Sequence, residues 1–164
     1  MTDWPTIHEK VVEQFRAGWD RPEPHAWDSF LDDSMRFIQP MLRDGIGPQV
    51  WWEEMSRTLK LLPDLRADVL RWAGSHEDLF IHLRLEATVA GKPLTWEAVD
   101  RLRVGPDGTA VFRESFFDSV PIAAILLRRP RSWLPWWRSG VGPLFWRRRL
   151  LRPIEIPTHT GGTP

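Results

Sequence analysis

The stretch Leu79–Val89, LFIHLRLEATV, decides the fold. Its apolar residues fall at every second position: Leu79, Ile81, Leu83, Leu85, Ala87 and Val89. Phe80, His82, Arg84, Glu86 and Thr88 occupy the positions between them. A period of two is the mark of a β-strand with one apolar face. Gly91-Lys92 then reads as a tight turn into a second strand, Pro93–Val104. The GPDG sequence, Gly105–Gly108, reverses the chain again into Thr109–Asp118. Leu65–Trp72, upstream, reads as a further strand beside the first.

Toward the N-terminus the period changes to that of a helix. Pro48 suits a first helical turn, and Val50, Trp51, Met55, Thr58, Leu59 and Leu62 form an apolar stripe before Pro63 stops it. Ser34–Gln39 predicts a short strand, and Arg43–Gly47 a turn. His25–Leu31 predicts a short helix. The first helix opens on Thr6 and Glu9 at capping-box spacing, continues through Val12, Phe15 and Trp19, and meets a stop signal at Gly18. Three helices followed by four antiparallel strands predict an α+β fold, with helices on one side of a curved sheet.

Composition narrows the function. A chain of 164 residues and 19.2 kDa fits one domain plus a tail. No apolar run approaches eighteen residues, which excludes a transmembrane helix. The N-terminus has neither a basic nor an apolar leader region, so a cytoplasmic location is expected. Cysteine is absent, which excludes disulfides, thiol nucleophiles and thiolate zinc sites. The five His are scattered without metal-ligand spacing, and no phosphate loop, dinucleotide fingerprint or nucleophile elbow occurs. No metal or cofactor is expected. Tyrosine and asparagine are absent as well.

The net charge of zero conceals an asymmetry. Residues 119–164 hold eight Arg, no Lys and one acid, Glu155, while residues 1–118 carry the compensating acidic excess. Residues 1–125 read as the folded body and 126–164 as an Arg-, Trp- and Pro-rich extension. Packing over the body or a dimer interface is one reading of this extension. Peripheral contact with a membrane is another, since Arg with Trp and Leu suits the headgroup region. Nucleic acid is not the expected partner, because the body is acidic.

The candidate chemistry lies on the strands. His82, Arg84 and Glu86 share one face of Leu79–Val89; either that face is solvated, or the sheet curls and they line a cavity. Asp100 alternates with Trp96, Ala98 and Leu102. A carboxylate on so apolar a face needs a partner, such as Arg84 or Arg101, or a raised pKa. In FRESFFDSV, Val111, Arg113, Ser115 and Phe117 share one face, with Phe112, Glu114, Phe116 and Asp118 on the other. Asp118 follows two aromatics and either caps a turn or serves a site.

The layout of residues 5–125 resembles the nuclear transport factor 2-like, SnoaL-like superfamily of α+β cones. The cues are AGWD after the first helix, FLDDSM before the first strand, the long hairpin, and DGTAVFRESFFD. The resemblance implies a homodimer and a small hydrophobic ligand held in a pocket lined by His82, Trp96, Phe116, Phe80, Gln39 and Phe37. In detail the chain is similar to limonene-1,2-epoxide hydrolases, whose Arg-x-Asp is matched by Arg84-Leu85-Glu86 and whose second Asp is matched by Asp118. On that likeness Asp118 activates a water, Glu86 protonates the epoxide oxygen and Arg84 bridges them. The Tyr and Asn that position the water in that family have no counterpart here. Asp100 matches the oxyanion-stabilising acid of ketosteroid isomerases. SnoaL-like cyclases instead use one acid/base carboxylate in the pocket, a role open to Asp118 or Asp100. The resemblance also leaves open a binding module without catalysis.

Overall fold

In the computed structural model, which describes residues 2–141, the elements run α1 (Trp4–Asp20), a 3-10 turn at Asp28–Phe30, β1 (Leu31–Ile38), β2 (Gly45–Ile46), α2 (Pro48–Leu61), β3 (Arg66–Ser75), β4 (Asp78–Val89), β5 (Lys92–Val104), β6 (Ala110–Phe116), α3 (Ser119–Arg128) and α4 (Pro130–Ser139). The strands form a six-stranded sheet in the order β2-β1-β6-β5-β4-β3. Every neighbouring pair is antiparallel except β1 with β6, which is parallel. The α+β class and the long β4–β5 hairpin are those read from the sequence.

Several local expectations are corrected. The segment expected as a second helix, His25–Leu31, forms only the short 3-10 turn before β1 starts at Leu31. The helices therefore divide, two before the long strands and two after them, instead of three at the N-terminus. Asp3, not Thr6, caps α1: its side chain accepts hydrogen bonds from the Thr6 amide and hydroxyl, and Pro5 occupies the first turn. The GPDG turn forms as read. Gly105 N–H donates to the Thr109 carbonyl, and Gly108 takes a left-handed φ of 85° that glycine adopts without steric cost. Two hydrogen bonds from Thr109, backbone amide and then hydroxyl, hold the Asp107 carboxyl below the usual carboxylate range.

The strand period decides which side of the sheet is covered. Leu79, Ile81, Leu83, Leu85, Ala87 and Val89 are all buried beneath the helices. Leu94, Ala98, Asp100, Leu102 and Val104 continue the same face on β5. Helix α1 lies along β3, and α2 lies on β1. Between the two helices sits an aromatic group: Trp27 meets Trp19 and Trp51 edge-on, at 5.0 and 5.2 Å between centroids, and Phe37 stacks on Trp51 at 5.6 Å. Such offset and edge contacts match ring quadrupoles as well as burying area.

Gly18 makes this grouping possible. A side chain there would collide with the indole of Trp27, which is buried and donates to the Phe15 carbonyl. Alanine at position 18 would gain about 1 kcal/mol in helix propensity. Overpacking a rigid, buried ring costs more, about 1–3 kcal/mol. Gly18→Ala is therefore expected to lower stability on balance, read as a lower urea midpoint with an unchanged slope.

Candidate active site

A cavity opens between the covered face of the sheet and the helices. Trp51, Met55 and Leu61 of α2 form one wall, Leu83, Leu85, Trp96 and Ala98 the opposite one, and Ile122 and Leu126 of α3 with Val141 close over it. It holds about 100 Å³ open to the centre of a water molecule. One water needs roughly 10–15 Å³ on that measure, so the space suits a multi-atom organic molecule. The lining is almost wholly apolar, apart from a few polar groups.

Those groups are Asp100, Arg113, Gln39, Ser115 and Thr58, with the indoles of Trp19, Trp51 and Trp96. Asp100 is 0% exposed. Its Oδ2 accepts from Arg113 Nε at 2.9 Å and from Nη2 at 2.7 Å. Arg113 Nη1 donates to Gln39 Oε1 at 2.9 Å. The guanidinium also lies over the Trp51 ring, 4.6 Å from its centroid, a cation–π contact strengthened by desolvation. All three guanidinium nitrogens are thus directed, and one carboxylate oxygen is not. Asp100 Oδ1, Gln39 Nε2, Trp51 Nε1 and Trp19 Nε1 are buried without a hydrogen-bond partner among the described residues. A buried polar atom without a partner costs free energy, and here four of them belong to residues that line one cavity.

Strand register builds this group. Asp100 pairs with Ser115 across the β5–β6 ladder, and Leu102 pairs with Arg113, so Asp100 and Arg113 are diagonal neighbours on the covered face. Gln39 follows β1 directly, and the loop after it, with Met41 at φ 63°, turns along the cavity.

The sequence-predicted site residues divide between the two faces. Asp100, Gln39 and Trp96 line the cavity. Phe37 is buried in the core against Trp51 and is not part of the lining. His82, Arg84 and Glu86 alternate with cavity residues, so they stand on the opposite face, and the expectation that they line the cavity is corrected. There Glu86 pairs with Arg66 at 2.7 Å. Glu97 receives both His82 Nε2, at 2.9 Å, and Arg84 Nη2, at 3.2 Å. Phe80 and Phe116 are exposed and lie outside the cavity. Asp118 is also exposed; it caps α3 by accepting from the Val120 amide. The Arg84–Glu86–Asp118 constellation does not assemble, because residues two apart on β4 share the wrong face. Nor does Asp100 pair with the cations considered for it: Arg84 engages Glu97, and Arg101 engages Asp78.

Arg113 is the residue that the sequence reading missed as a functional group. Its signal was present: on one face with Ser115 and Phe117, it is the cation that a buried Asp100 on the adjacent strand requires.

Comparison with known proteins follows the same lines. The SnoaL-like domain matches residues 12–112, more than half of the chain. The chain belongs to this SnoaL-like domain family. No curated protein matches it. Among solved structures it is similar to TerC, co-crystallised with polyporic acid, at 16% identity and a TM-score of 0.67, covering 74% of this chain and 98% of that one. It is similar to AclR of Streptomyces galilaeus, described as a candidate hydroxylase, at 17% identity and a TM-score of 0.64, over 76% and 83% of the two chains. A candidate SnoaL-like polyketide cyclase from Jannaschia sp. CCS1 shares 15% identity and a TM-score of 0.62, over 74% and 90%. At these identities the structural likeness shows the fold alone. Within this SnoaL-like fold, the Asp100–Arg113–Gln39 group is what the present chain places in its cavity.

Breaking the buried pair tests its role in stability. Arg113→Met leaves a carboxylate uncompensated in the interior and is expected to cost about 3–5 kcal/mol. Removing both charges, as Asp100→Leu with Arg113→Met, is expected to restore most of that loss in urea unfolding. On the outer face, the Arg84 guanidinium and then His82 hold the Glu97 carboxyl below the usual carboxylate range. A lowered carboxylate stabilises the fold above its unfolded-state pKa, and that contribution fades as pH falls through the native value. The stability difference between wild type and Glu97→Gln is therefore expected to be largest at neutral pH and to shrink on acidification, as measured by thermal melts across the acid range.

Proposed function

We propose that this SnoaL-like protein catalyses proton transfer within a small, largely apolar carbonyl compound, with Asp100 taking and returning the proton. One observation carries the reading. Asp100 is wholly buried yet is one of the residues that line the cavity, Arg113 engages its Oδ2, and its Oδ1 has no partner among the described residues. Two hydrogen bonds from the guanidinium anchor the Asp100 side chain through Oδ2. Its second oxygen then accepts a proton from a carbon next to the carbonyl. Gln39 Nε2 and Trp51 Nε1 are the donors suited to the oxygen on which charge develops. The apolar wall excludes water and strengthens each of these interactions.

The single carboxylate also selects among reaction types. Opening an epoxide needs a base on the water and an acid on the leaving oxygen at the same time. Asp100 is the only carboxylate among the described residues that line the cavity, so isomerisation or intramolecular cyclisation fits better, since one group serves both proton transfers. Aromatic polyketide-like ketones are the substrate class that the apolar lining and the few polar groups suit. The co-crystallisation of TerC with polyporic acid supports use of such a pocket for an organic ligand, at the level of the fold.

A second reading is a binding module for the same class of compound. It is favoured by Arg113 itself, whose guanidinium already holds one oxygen of Asp100 with two hydrogen bonds.

The experiment separates the two. Small aryl ketones and 1,3-diketones are screened for binding, and the exchange of their α-hydrogens in heavy water is followed by NMR. Asp100→Asn is expected to slow exchange by about 100-fold or more with affinity retained, whereas Asp118→Asn leaves exchange unchanged. Exchange undiminished in Asp100→Asn would remove Asp100 from the mechanism. Tight binding by wild type with no exchange would establish the binding module instead.

A further inference from the structure

A buried carboxylate on α2 has no part in the mechanism proposed above. Trp51, Met55 and Thr58 line the cavity from one side of that helix. Glu54 falls three residues after Trp51 and four before Thr58, so it shares the same side. It is 2% exposed, yet it is not among the lining residues. Burying a carboxylate is costly unless cations meet it, and two arginines meet this one. Arg57 Nη1, three residues further along α2, donates to Glu54 Oε1 at 3.1 Å. Arg43 Nε approaches the same oxygen at 3.6 Å, a contact of charge that is longer than a hydrogen bond. Arg57 belongs to α2 itself, whereas Arg43 comes from the loop between β1 and β2.

That loop, residues 39–44, carries part of the site. Gln39 begins it, and Pro40, Met41 and Leu42 also line the cavity. Met41 holds a φ of 63°, a left-handed conformation that residues with a Cβ rarely adopt, so its surroundings must fix it. The strands on either side are paired, Phe37 with Gly45 and Arg36 with Ile46. Within the loop the Gln39 amide donates to Asp44 Oδ1 at 3.3 Å. Glu54 adds an anchor from α2 through Arg43, the residue before Asp44. A continuous set of contacts thus runs from Glu54 to Arg43, along the loop to Gln39, and from Gln39 Oε1 through Arg113 to Asp100.

We propose that Glu54 is a positioning residue for this site, acting through Arg43 to fix the loop that carries Gln39. The proposal rests on the reading of Asp100 and Gln39 given above. Guanidinium nitrogens only donate, so Arg113 Nη1 engages the oxygen of the Gln39 amide and turns its nitrogen away. Where that nitrogen lies then depends on where the loop places the Gln39 backbone. A displacement of about 1 Å would carry the amide off the ligand oxygen, and misplacement on that scale costs rate even when the fold is kept. The two arginines differ in what they join. Arg57 stays within α2 and supports the helix, while Arg43 crosses from helix to loop. The Arg43 side chain is 42% exposed, so replacing it disturbs the loop without opening the core.

The test uses the full chain, with backbone amide exchange read residue by residue by NMR and acetophenone as the ligand probe. In Arg43→Met and in Glu54→Gln the Gln39 amide is expected to lose protection. Exchange of the acetophenone α-hydrogens in heavy water is expected to slow by about ten-fold or more in both. The double variant is expected to be no slower than either single one, since both substitutions break one contact. Arg43→Lys, which keeps the charge, is expected to restore the rate. Arg57→Met is expected to lower the melting temperature while leaving Gln39 protection and the exchange rate as in wild type. Unchanged Gln39 protection in both Arg43→Met and Glu54→Gln would overturn the proposal, whatever happens to acetophenone. So would losses of rate that add in the double variant, or an equal loss in Arg57→Met. If wild type does not exchange acetophenone, the catalytic reading fails, and Gln39 protection alone decides the role of Glu54.

Discussion

Among the described residues, helices cover one face of the six-stranded sheet, and every strand sends its side chains alternately to that face and to the other. This constraint assigns each residue of β4, β5 and β6 to cavity or to surface, with no intermediate choice. A one-residue slip of β4 would bury His82, Arg84 and Glu86 and expose Leu83 and Leu85. The six apolar positions of that strand forbid it, since all are buried under the helices. The charged residues between them consequently form a surface network with Arg66, Arg71 and Glu97. Exposed pairs of this kind contribute little to stability individually, and they leave the interior to other groups.

Within the covered face a single charge pair is retained. Asp100 and Arg113 are enclosed by Trp51, Gln39 and the apolar wall, and a buried pair of this kind is weak evidence for stability. Its surroundings give it another meaning. The pair is satisfied on one side only: Arg113 holds Oδ2, while Oδ1 and the Gln39 amide nitrogen find no partner among the described residues. A purely structural ion pair would gain by satisfying both oxygens. The arrangement instead leaves an acceptor and donors unpartnered on residues that line a space large enough for a small organic molecule.

The C-terminal helices join the site to the surface. Ile122 and Leu126 of α3 close the cavity, and Ser132 and Trp136 bind α4 to the body. Ser132 Oγ donates toward the Leu126 and Arg129 carbonyls, satisfying groups left open at the end of α3. Arg129 reaches back to the carbonyls of Val89 and Lys92 at the β4–β5 turn. The same short segment therefore both covers the pocket and ties down that turn.

The sequence by itself determined the element types of the long strands, the α+β class, the Gly105–Gly108 turn and the exceptional position of Asp100. These rest on local period, turn chemistry and the cost of a carboxylate on an apolar face, all of which act over a few residues. It also separated Arg113, Ser115 and Phe117 from Phe116 and Asp118 correctly. Only the tertiary structure decided which face was covered, because a two-residue period marks two faces without saying which polar one meets water. Only the β5–β6 register decided that Arg113, rather than Arg84 or Arg101, partners Asp100. That choice joins residues from neighbouring strands, together with Gln39 from β1, and pairing between distant segments is not encoded in the period of any one of them.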